Sequence, residues 1–148
     1  MNTLVDRLSV VVTGRTTSLF SRDYQQRRDD IAQRLRDARV LVIGGAGSIG
    51  GATVGAILEF PVRALHVVDQ CENGLTELVR SLRSAIPPRP IPRDFRTIVL
   101  DFGSPIMRRL LEDETPYDLV LNFAAVKHVR SEKDVHCLLH MFHTNVVK

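Results

Sequence analysis

The rhythm of apolar positions changes at Arg39. Between Ser21 and Ala38, Tyr24, Ile31, Leu35 and Ala38 recur at roughly helical spacing among charged residues, which predicts a helix with a thin apolar stripe. Residues 1–20 are weakly patterned and are expected to form a partly ordered lead-in. From Arg39 onward, short continuous apolar runs alternate with helix-like stretches. "RVLVIGG", "ALHVVD", "FRTIVLD" and "YDLVLNFAA" read as strands, the first two buried on both faces. "ATVGAILEF", "NGLTELVRSLRSA" and "SPIMRRLLED" read as the helices between them. Ser104 is placed to cap the last of these, with Pro105 at its first helical position. A further helix is expected from about Lys133 into "HMFHTNVVK". The proline-rich "IPPRPIPRD" must be an extended surface loop.

Strands and helices alternating at this spacing predict an α/β, Rossmann-like parallel sheet with flanking helices and right-handed crossovers. That domain is expected over 39–148, with 1–38 as lead-in and amphipathic helix. At the first strand-to-helix junction, Gly44, Gly47 and Gly50 fit GxxGxxG, while Gly45, Gly47 and Gly50 fit GxGxxG. Glycines in such a turn allow positive φ, close approach of a pyrophosphate and tight helix packing on the sheet. The helix start then offers unpaired N–H groups to the anion, and Ser48 can add a hydroxyl donor. A buried strand precedes the turn, a helix follows, and an acid, Asp69, closes the next strand, so dinucleotide binding is expected. A carboxylate at Asp69 can accept both adenosine ribose hydroxyls and would repel a 2′-phosphate, which favours NAD, with NADP the alternative. Asp101 repeats the arrangement after the third strand. Its carboxylate could meet the adenine amino group, or simply cap the turn "DFGSP".

Composition narrows the classes. The chain has 148 residues, 44% hydrophobic and 25% charged, which is ordinary globular composition. Its net charge of +3 is not gathered into a basic patch, so nucleic acid is not an expected partner. Cys71 and Cys137 stand in no metal or redox spacing, which suits a reducing compartment. No apolar run reaches the length of a membrane span, and the chain reads as cytoplasmic. "HCLLHMFH" sets His136, His140 and His143 on one helical face. A metalloprotease helix needs Glu where Cys137 stands, so a helix surface is expected there and no metal.

"VIGGAGSIG", "VVDQCENGLTELV", "VLDFGS", "LNFAAVKHVRSEKD" and "HTNVVK" occur in the order and spacing of the extended short-chain dehydrogenases/reductases. More narrowly, "DQCENGLTEL" and "AAVKHV" resemble the bacterial nucleotide-sugar 4,6-dehydratase and polysaccharide-biosynthesis branch, over about Arg39 to Lys148. The resemblance implies a tightly held nicotinamide cofactor working on a UDP-sugar such as UDP-N-acetylglucosamine. Hydride would leave sugar C4, water would be eliminated across C5 and C6, and the hydride would return to C6, with general acid–base assistance.

Carried over by resemblance, Gly44, Gly47, Ser48, Ile49 and Gly50 would line the pyrophosphate. Asp69 would hold the adenosine ribose, and Asp101 with Phe102 would flank the adenine. Ala124 and Ala125 would pass near the nicotinamide, Lys127 and His128 would lie in a loop near substrate, and Asn145 would support the catalytic network. Ile43 departs from the relatives' threonine before the glycines. The relatives' catalytic Ser/Thr strand and x-x-x-Lys helix would fall after Lys148, so the expected fold is truncated before the catalytic segment and inactive alone. An unpaired sheet edge then predicts poor solubility or self-association of this portion, and a homo-oligomer is expected. Epimerase is as compatible as dehydratase. A non-catalytic NAD-binding module acting through protein interaction is the alternative of another class, and a methyltransferase a weaker third.

Overall fold

The computed structural model describes residues 4–126 and 134–148, and divides into two compact units, 1–34 and 35–148. In the first, α1 (Leu4–Thr13) occupies much of the stretch expected to be partly ordered. Its stop signal was present in the sequence: Gly14 takes φ 65° and donates its N–H to Val10 O at 2.8 Å, the left-handed cap that ends many helices. α2 (Ser21–Leu35) carries Asp23 in its first turn and Arg34 in its last, which complements the helix dipole. It ends three residues before Ala38 because Asp37 turns to φ 59°.

The second unit is built on β1 (Arg39–Ile43), followed by α3 (Ser48–Ile57), β2 (Ala64–Asp69), α4 (Glu72–Arg83), β3 (Asp94–Val99), α5 (Pro105–Asp113), β4 (Leu119–Asn122) and α6 (Val135–Phe142). A π-helical turn over His143–Val147 continues α6. The four strands are parallel, in the order β3-β2-β1-β4. Val40, Leu41 and Val42 of β1 and Leu65, His66, Val67 and Val68 of β2 are fully buried, as inner strands covered on both faces must be. Leu41, Ile43 and Val68 pack with Met107 of α5 on one face. The alternate residues Val40, Val42, Leu65 and Val67 face the other way, the side on which right-handed crossovers place α3 and α4. Those helices bury Val54 and Ile57, and Leu75, Leu78 and Leu82.

The chain crosses from β2–β3 to β4 by reversing direction at β1. That reversal opens a crevice at the carboxyl ends of the strands, the customary ligand position in such sheets.

The opposite end of the sheet is fastened by charge. His66, fully buried in β2, shares a 2.6 Å hydrogen bond between Nδ1 and Tyr117 Oη, and its Nε2 lies 3.0 Å from Asp94 Oδ1. Arg96 Nε also lies 2.9 Å from that nitrogen and 3.2 Å from Asp94 Oδ1. Arg96 also grips Glu114 through two parallel bonds of 2.8 and 2.9 Å. Arg39 reaches Asp94 and Glu114 at 3.2 Å each and lies over the Tyr117 ring. The hydrogen bond from His66 holds the Asp94 carboxyl below its ordinary range, and the Arg96 guanidinium does the same for Glu114. Burial, aided by the Glu114 charge, raises the Tyr117 phenol. β1, β2, β3 and the link from α5 to β4 are thereby joined in one network at the end remote from the crevice.

Candidate cofactor site

The turn after β1 takes its shape from contacts that leave no room for side chains. Gly44 adopts φ 78°, and a Cβ there would stand 2.5 Å from Ala124 N and 2.7 Å from the Phe123 carbonyl carbon. A Cβ at Gly50 would meet Gly45 Cα at 2.8 Å and run into the Gly44 carbonyl oxygen, so helix and loop pack backbone to backbone there. Gly45 is closed by the Val67 side chain. Gly47 differs: the nearest atom to its Cβ position is Gly44 O at an ordinary 3.4 Å. Of the two glycine registers open in the sequence, the one beginning at Gly44 carries the left-handed turn, while Gly45 must be small for packing.

Gly47 is also the N-cap of α3, and no side chain caps the helix. The first-turn residues Ser48 and Ile49 are exposed, while Gly50 is buried. The positive end of α3 is thus presented bare behind an unobstructed glycine, an arrangement suited to an anion.

Asp69 reaches the same loop. Its Oδ2 accepts from Ala46 N and its Oδ1 from Cys71 N, both at 2.9 Å. One carboxylate therefore ties the glycine loop to the start of α4. Asp101 makes the turn bond expected of a cap, with Oδ1 accepting from Gly103 N at 3.0 Å. Its Oδ2 pairs with Lys148 Nζ at 2.6 Å, and that ammonium, followed by the Gly103 N–H, lowers the carboxyl from its ordinary value.

A cleft of about 130 Å³ joins these parts. Gly44, Gly47, Asp69, Asp101, Phe102, Ala124 and Ala125, each expected from the sequence, line it together. Ser48, Ile49 and Gly50 form the helix turn next to it rather than its wall. Asn145 acts from behind: Oδ1 accepts from Val126 N and Nδ2 donates to Val126 O, both at 2.9 Å, clamping a residue that does line the cleft. Lys127 and His128 lie outside the described residues. The sequence reading missed Gln70, Leu100 and Thr144 in the wall. Gln70 could have been found from its place beside Asp69; Thr144 could not, since only the π-helical turn brings it there. Thr144 Oγ1 is buried without a partner in that wall.

Among the described residues, no three His, Cys, Asp or Glu side chains converge in a way that could hold a metal, and no helix is long and apolar enough to cross a membrane. His136 instead lies 3.4 Å from Asp134, the N-cap of α6.

Comparison with known proteins agrees with this architecture. Uncharacterized membrane protein MJ1061 of Methanocaldococcus jannaschii is 33% identical over 101 residues, covering 68% of this chain and 27% of that protein. The Arabidopsis thaliana protein named "Putative UDP-arabinose 4-epimerase 4" is 28% identical over 123 residues, covering 82% of this chain and 26% of its own length. The chain thus spans about a quarter of the curated relatives it matches. WbmF of Bordetella bronchiseptica, solved with NAD+, matches at TM-score 0.51 and 26% identity over 76% of this chain and 30% of that one. The same enzyme has been solved with NAD+ and UDP together. The family described as polysaccharide biosynthesis protein matches residues 40–148, and the chain belongs to it.

Proposed function

We propose that this chain is the NAD-binding portion of a nucleotide-sugar 4,6-dehydratase or epimerase of surface polysaccharide biosynthesis, acting in the cytoplasm on a UDP-N-acetylglucosamine-type substrate as a homo-oligomer. The observation that carries the reading is the uncapped α3 N-terminus behind the open Gly47, lining one cleft together with the Asp69 carboxylate. The donor set fits a dinucleotide. Gly44, Gly47, Ser48, Ile49 and Gly50 would line the pyrophosphate, held by the first-turn N–H groups of Ser48, Ile49 and Gly50 and by the helix dipole. Gly44 and Gly47, whose own N–H groups bond to Val68 O and Gly44 O, would let it approach. Asp69 keeps lone pairs free on both oxygens for the ribose hydroxyls, and its negative charge disfavours a 2′-phosphate.

Asp101 and Phe102 would flank the adenine. Ala124 and Ala125, small and held in place by Asn145 through Val126, would let the nicotinamide lie close to the β4 turn. When bound, NAD supplies a hydride acceptor that can return the hydride later in the cycle. The chain's own share is to bind, orient and exclude water. The family membership and the NAD+ and UDP held by WbmF support the substrate class.

The test is calorimetric titration of the 148-residue chain with NAD and, separately, NADP. Micromolar NAD binding with weaker NADP binding is expected. A preference for NADP overturns the role given to Asp69. Failure of a folded sample to bind either dinucleotide overturns the reading itself.

A further inference from the structure

Among the described residues, α6 and the π-helical turn that continues it bury a single side chain, Thr144. Leu138, Leu139, Phe142, Val146 and Val147 of the same segment are exposed, whereas Thr144 is only 8% exposed. A segment that needed only packing would bury one of its apolar residues and leave the hydroxyl in water. Here the order is inverted, and the residue taken inside is part of the cleft wall.

The Thr144 hydroxyl has one donor and two acceptor sites, and Oγ1 uses none of them among the described residues. A helical threonine ordinarily bonds back to a carbonyl three or four residues earlier. No such bond forms here, and the carbonyl four residues back, His140 O, accepts the His143 N–H. The carboxylates in the same wall, Asp69 and Asp101, both bond within the chain. A buried hydroxyl without a partner is destabilising, so its retention calls for a reason. Single π-helical turns recur at functional sites, where they re-aim side chains that a regular helix would place elsewhere.

Lys148, at the end of the same turn, bonds Asp101 Oδ2 and lies over the Phe102 ring, which sets the turn against the rim given above to the adenosine. We propose that Thr144 is a further binding residue of the cleft, its hydroxyl finding its missing hydrogen-bond partner on the adenosine half of the dinucleotide. The proposal rests on the assignment of the cleft to NAD.

The experiment combines calorimetric titration with NAD and with ADP, which lacks the nicotinamide half, on wild type, Thr144→Val and Thr144→Ser. Thermal melts of each chain are recorded without ligand. Valine keeps the shape and removes the hydroxyl, while serine keeps the hydroxyl. Thr144→Val should melt at or above the wild-type temperature, because an unpaired polar group leaves the interior, yet bind NAD about tenfold more weakly. ADP should lose the same factor. Thr144→Ser should stay within about threefold of wild type for both ligands. Stability and affinity moving in opposite directions is a result that a merely structural threonine does not give.

A Thr144→Val chain that melts clearly below wild type, or that binds NAD as wild type does, overturns the proposal. So does a loss seen with NAD and not with ADP, since the hydroxyl then serves the nicotinamide half. Binding of neither ligand by folded wild type removes the NAD reading and this proposal with it. Wild-type binding with the wrong pattern among the variants removes the proposal alone.

Discussion

Asp69 Oδ2 accepts the backbone N–H of Ala46 at 2.9 Å, so the acid that closes β2 braces the loop that leaves β1. The expected ribose contact and this brace use the same carboxylate. Asp69→Ala should therefore destabilise the fold by about 1–3 kcal/mol as well as weaken NAD binding. Asp69→Asn, which keeps one acceptor oxygen, should recover part of the stability and little of the binding. Thermal melts and calorimetric titration on the same samples measure the two effects separately.

Gly47 and Gly50 make a paired prediction. Gly50→Ala forces a methyl onto backbone atoms that cannot swing aside, and should cost about 1–3 kcal/mol along with dinucleotide binding. Gly47→Ala meets only an ordinary contact and φ is already −75°, so stability should fall by no more than about 1 kcal/mol. Its methyl nonetheless stands where the pyrophosphate would approach. Titration should show affinity reduced at least about tenfold in a variant that melts nearly as wild type does.

The fastening at the far end of the sheet should fail in acid. Asp94 and Glu114 have lowered carboxyls in the folded chain, so their stabilisation is complete above the unfolded values and disappears as pH falls through the folded ones. Melting temperature should therefore drop on acidification from about pH 5 to about pH 3. Glu114→Gln should be less stable at neutral pH and lose less over that interval. Tyr117 runs the other way: its raised phenol contributes stability below the ordinary tyrosine value, lost as pH climbs through the folded one.

Asn145 holds Val126 by both its amide atoms. In Asn145→Asp the donor becomes a second acceptor facing the Val126 carbonyl, which should cost about 1–3 kcal/mol locally. Hydrogen exchange should report lost protection at the Val126 amide while the amides of β1 and β2 keep theirs. Wild-type protection at Val126 in the variant would contradict the clamp.

The strands, the crossover helices and the glycine turn were legible because their signals are local: continuous apolar runs, a Ser-Pro start at α5, and glycines placed after a buried strand. Asp69 was legible by its offset from those glycines. His66 was not. It stood inside a run that reads as buried strand, and its partners Asp94 and Tyr117 are 28 and 51 residues distant. Only the register of β2 beside β3, together with the link from α5 to β4, brings them into contact. The seating of Lys148 on Asp101, 47 residues away, depends likewise on a π-helical turn that a simple helical pattern does not announce.

The approach of Gly44 to the peptide joining Phe123 and Ala124 makes the floor of the cleft a party wall between two loops. A larger residue at 44 requires the turn after β4 to retreat, and a tighter turn there requires 44 to stay a glycine. Related sequences should therefore alter these two segments jointly, whereas Gln70 and Leu100 on the opposite rim can change one at a time. A redesign for a bulkier cofactor should begin from that rim.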